Sequence, residues 1–158
     1  MKFRAFGVAA AVALILTSCS TDEEVASQAI SDSIMANNTD FVMTRPQADC
    51  AADGLVDRLG VESLQKDGVL DSEGGLGQVE MSQEDANVAA DVMAGCIDFR
   101  ELFTSAMPVL PEESRRCVDE KLTDEVLNDY VTSVLVNERE QAQEDLALAL
   151  ADCVRLGG

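Results

Sequence analysis

The sequence predicts an all-α protein, a helical bundle of about five to seven helices with two disulfides and an internal repeat. Three observations carry that expectation. Apolar residues recur at helical spacing along most of the chain beyond residue 21, and helix-start residues precede several of those stretches. No sustained two-residue alternation marks a strand. Beyond Cys19 the cysteines number four, an even set in a small chain.

The first element is not part of the bundle. Lys2 and Arg4 precede an apolar run from Ala5 to Leu16. Twelve helical residues reach only about 18 Å at 1.5 Å each, short of the ~30 Å hydrocarbon core of a bilayer. The run therefore reads as an export signal rather than a transmembrane helix. Leu16-Thr17-Ser18-Cys19 then resembles the lipobox of bacterial lipoproteins. The resemblance implies residues 1–18 as signal peptide, cleavage between Ser18 and Cys19, and a diacylglyceryl thioether on Cys19. Two acyl chains anchor a protein stably where one binds only marginally. Residues 19–21 would form a lipidated N-terminus and short tether, holding the chain on the extracytoplasmic side of a bacterial membrane, at the cell surface or in the periplasm. By resemblance to Gram-negative lipoproteins, Ser20 in place of Asp lacks the usual inner-membrane retention signal.

Residues 22–158 are left as one all-α domain. Start signals fall at Thr21 with Glu24, at Thr44 with Gln47 and Pro46, and at Ser82 with Asp85. Apolar stripes follow: Ala51, Leu55 and Leu59; Val88, Val92 and Cys96; Val118, Leu122 and Val126; Val131, Val134 and Leu135; Ala142, Leu146, Leu150 and Cys153. Gly60 in DRLG reads as a helix stop. The Gly-rich stretch Asp67 to Gln78 reads as a surface loop.

IMANNTDF (Ile34–Phe41) matches VMAGCIDF (Val92–Phe99), with Asn38 opposite Cys96, and ALADCV places Cys153 in the same slot. CAADGLVDRL from Cys50 matches CVDEKLTDEV from Cys117 in Cys, Leu and Asp. The repeats would cover residues ~22–80 and ~81–158. One cysteine opens a helix and the next closes a later one, so pairing each opener with the following closer gives Cys50–Cys96 and Cys117–Cys153. The pairing of Cys96 with Cys117 and Cys50 with Cys153 stays open. Zinc is disfavoured, since the chain has no His and no close cysteine pair.

Loss of Lys2 and Arg4 would take the net charge from −19 to −21. Such a surface repels nucleic acid and anionic headgroups, so no nucleic-acid partner is expected. An envelope protein or a cationic partner fits better. The absence of His rules out Ser-His and Cys-His nucleophile–base pairs, and no phosphate loop or H-E-x-x-H is present. No cofactor is expected and no residue is assigned as catalytic. Asp67, Asp71 and Glu73 are the candidates for a calcium loop, but the EF-hand spacing fails and a plain surface loop is preferred. The segment holding Phe99, Leu102, Phe103, Met107 and Leu110 is the most apolar beyond the leader, and is the candidate lining for an apolar ligand.

CAADGLVDRLGVESL, the Gly-rich loop, VAADVMAGCIDF and CVDEKL together resemble small exported helical Cys-repeat domains of actinobacteria, a resemblance that transfers no functional residue. The leading expectation is a lipid-anchored, non-catalytic surface interaction module of the cell envelope. The alternative is a helical carrier or sensor for a small apolar ligand, with an enzyme third.

Overall fold

The computed structural model describes residues 21–36, 43–71, 79–106 and 110–155. Ser18, Cys19, Asn38, Glu73 and Met107 lie outside them. Seven helices run in order: α1 (Asp22–Ala36), α2 (Arg45–Lys66), α3 (Gln83–Cys96), α4 (Phe99–Ala106), α5 (Glu112–Lys121), α6 (Asp124–Leu135) and α7 (Arg139–Arg155). No strand is present among the described residues, and no helix among them is long and apolar enough to cross a membrane.

The three expected start signals operate as local hydrogen-bond chemistry. Glu24 accepts from the Thr21 N–H at 3.0 Å while the Glu24 N–H donates to Thr21 Oγ1 at 3.2 Å. Gln47 Oε1 accepts from the Thr44 N–H at 2.9 Å. Ser82 Oγ accepts from the Asp85 N–H at 3.2 Å. Each satisfies a donor that the helix itself leaves orphaned.

Two boundaries differ from expectation. Gly60 does not stop α2 but kinks it, with φ 76° and ψ 155°, and the helix resumes to Lys66. The resumed turn is held by Leu64, which is wholly buried. The Val118–Leu122–Val126 stripe is not one helix either: α5 ends at Lys121, Leu122 caps it, and Thr123 starts α6 by accepting from the Val126 N–H at 3.3 Å. The Gly-rich stretch is also less superficial than expected. The N–H groups of Val69 and Leu70 both donate to the Leu64 carbonyl, at 2.9 and 3.1 Å, after a turn through Gly68 at φ 71°. That turn folds Val69 and Leu70 into the core.

Two cores result. The first joins α1, α2 and α3 through Ile30, Leu55, Val56, Leu64, Leu70, Met81 and Val92. Small residues let the helices approach: Ala48, Ala51, Ala52, Ala86, Ala89 and Ala90 are all at most 1% exposed. Beside that core, Ser27 and Ser31 of α1 donate to Asp53 and Asp49 of α2, and Arg45 reaches Asp32 at 2.6 Å. The second core joins α5, α6 and α7 through Val118, Leu122, Leu127 and Cys153, with Phe99 and Phe103 of α4 packed against it.

A disulfide closes each core. Cys50 bonds Cys96, tying α2 to the end of α3 with Cα atoms 5.7 Å apart. Cys117 bonds Cys153, tying α5 to α7 at 5.3 Å. These are the preferred pairs, and the Cys96–Cys117 alternative is excluded. Closing loops of 46 and 36 residues restricts the unfolded chain by about 4 kcal/mol each in the loop-entropy treatment.

Candidate ligand-binding site

α4 carries the clue to the site. Phe99, Leu102 and Phe103 stand at i, i+3 and i+4, so they share one face of a short helix. Asp98 starts that helix by accepting from the Glu101 N–H at 2.9 Å. Yet none of the three is fully buried. Their common face looks onto a cavity of about 240 Å³.

The opposite wall is α6. Tyr130, Val131, Val134 and Leu135 line it, and the Tyr130 ring meets Phe103 edge-on, with centroids 5.4 Å apart and planes at 86°. Such a T-shaped pair fixes both rings and with them the cavity's shape. Met93 of α3 and Met43, just ahead of α2, complete the apolar lining. Arg139, the first residue of α7, is the one charged residue among the described lining. Leu135 also packs on the first core, while Phe99 and Phe103 pack on the second. The cavity therefore lies at the place where the two cores meet without merging.

Of the residues expected to line an apolar site, Phe99, Leu102 and Phe103 do so. Leu110 packs instead against the second core, and Met107 lies outside the described residues. Sequence reasoning missed Met43, Met93, Tyr130, Val131, Val134, Leu135 and Arg139 as wall residues. Val131, Val134 and Leu135 had been visible only as a core stripe.

A wider hollow of about 520 Å³ shares Phe99 as a lining residue and lies against the end of α3. Its wall is polar: Arg100 pairs with Asp124 at 3.0 Å, and Asn128 of its lining donates to Asp91 at 3.1 Å. These links brace α4 and α3 against α6, and the Asp98 carboxylate of the same wall is engaged by the Glu101 N–H.

The acidic candidates do not form a metal centre. Among the described residues no group of three or more His, Cys, Asp or Glu side chains converges. Asp67 is buried at the C-terminal end of α2, 3% exposed, whereas Asp71 is exposed. Oδ2 of Asp67 has no hydrogen-bond partner among the described residues. Burial raises the Asp67 carboxyl above its ordinary pKa, the negative charge of Asp85 and the hydrogen bond between the two raise it further, and Lys66 offsets part of the rise. Glu73 lies outside the described residues.

Comparison with models of protein families, with curated proteins and with solved structures finds no match.

Proposed function

We propose that this is a lipid-anchored, non-catalytic protein of the bacterial cell envelope that carries or senses a small apolar ligand. The observation that supports it is the 240 Å³ cavity walled by Phe99, Leu102, Phe103, Val131, Val134 and Leu135. Ligand sites are concave, mostly apolar and equipped with few polar groups, and this cavity has that character. Its size lies between the ~150 Å³ that takes benzene and the roughly 300 Å³ at which drug-sized sites begin. One unbranched chain fits that range, and a two-tailed lipid does not. The anchor rests on the likeness of Leu16–Cys19 to a lipobox, and such a tether would keep the cavity close to a source of apolar molecules.

The test uses the full chain in membranes and a photoreactive, diazirine-bearing decanol. Labelling of residues 99–103 and 130–135, competed by plain decanol, is expected. Val134→Phe, which places a ring in the cavity, should reduce that labelling to background while both disulfides still form. Labelling that ignores Val134→Phe would refute the reading.

The leading expectation from sequence, an interaction module for an envelope component, has its own support in the net charge of −21 that the cleaved chain would carry. A basic partner would be drawn to that surface. Crosslinking in cells that recovers one basic envelope protein, with the cavity unlabelled, would favour it over the carrier.

A further inference from the structure

Arg139 is oddly placed for a residue with only a structural role. It opens α7, where a cation faces the positive end of the helix dipole, an arrangement that costs rather than stabilises. It forms no ion pair among the described residues, although acidic side chains outnumber basic ones across the chain by 30 to 11. Its side chain lines the apolar cavity instead. The chain brings it there through a tight α6–α7 connection in which Asn137 takes φ 66°, a left-handed conformation that Asn tolerates better than most residues.

We infer that the cavity binds a single-chain aliphatic carboxylate, its tail between Leu102, Phe103 and Val134 and its head on Arg139. The inference rests on the ligand-binding reading above and names the ligand's class. Charge complementarity carries it: a described wall that is otherwise apolar, with one solvent-exposed guanidinium that pairs with no described carboxylate, selects an amphiphile with one anionic end. The planar guanidinium fork matches a carboxylate in two parallel hydrogen bonds. A singly charged head is favoured over a doubly charged phosphate, because the surrounding surface is strongly acidic and each added negative charge is repelled.

The experiment compares two diazirine probes of equal chain length, a decanoate and a decanol, on the full chain in membranes. Half-maximal labelling of residues 99–103 and 130–135 should need less decanoate probe than decanol probe. Arg139→Gln should raise the decanoate concentration required about tenfold, the equivalent of one charge-assisted hydrogen bond, and shift the decanol requirement by much less. Arg139→Lys should restore part of the loss, since charge returns without the fork. Equal labelling by both probes, or an Arg139→Gln variant that treats decanoate as the parent does, would overturn the carboxylate assignment and leave the cavity reading standing. No labelling of these segments by either probe would overturn both.

Discussion

A Cβ at Gly54 would lie 2.6 Å from Cγ1 of Val92, where α2 packs against α3. Val is stiff at χ1 in a helix and has little room to yield. Gly54→Ala therefore gains up to about 1 kcal/mol in helix propensity but incurs an overpacking cost of about 1–3 kcal/mol. A net loss is expected, read as a lower urea midpoint. Gly95→Ala on α3 is the control: nothing lies within 4 Å of its Cβ, and a rise of about 0.5–1 kcal/mol is expected. Asp67 makes the second prediction at this scale. Its pKa is raised in the folded state, so the folded chain holds that proton more tightly than the unfolded one. The stability this contributes is complete below the ordinary carboxylate value and is lost as pH rises through the raised one. Asp67→Asn, facing Asp85 and beside Lys66, should flatten that decline and melt higher than the parent at neutral pH. A variant that melts lower at neutral pH would refute the account.

Helices are the scale at which the sequence was most legible, because their signals are local. The pairs Thr21–Glu24, Thr44–Gln47 and Ser82–Asp85 act within one turn, and each starts a helix where expected. Gly60 misled because a glycine that ends a helix and one that kinks it look alike in sequence. Burial of Leu64, a tertiary event, draws the last turn of α2 back into line. The stripe through Leu122 misled because its four-residue rhythm survives a break, although Thr123 followed by Asp124 and Glu125 was a readable start signal. One wall of the cavity was legible because Phe99, Leu102 and Phe103 are neighbours in one apolar segment of the sequence. Tyr130, Val134 and Arg139 join them only through the packing of α4, α6 and α7. The disulfides differ at this scale too. Cys50 is exposed, whereas Cys153 is wholly buried. Graded reduction followed by alkylation should open Cys50–Cys96 first. Mass spectrometry finding Cys117 and Cys153 alkylated first would contradict that order.

Across the whole molecule, charge and covalent wiring do different work. The five ion pairs among the described residues all have side chains at least 43% exposed, and such pairs contribute roughly 0–1 kcal/mol each. The acidic excess therefore adds little to stability, which the two cores with their disulfides supply. Each disulfide joins two helices of a single core, and both loops are complete without the stretch between Cys96 and Cys117. A protease that cuts within either loop leaves one covalent species until reductant is added. A single cut between residues 97 and 116 gives two fragments that separate on a denaturing gel even when fully oxidised. If the lipid is on Cys19, that cut leaves only one half covalently tied to the membrane. The lining of the cavity would be shared between the two fragments, because Met43 and Met93 lie on one side of the cut while Tyr130 and Arg139 lie on the other. Proteolysis at that stretch would thus leave the cavity's assembly to non-covalent packing such as that of α3 against α6.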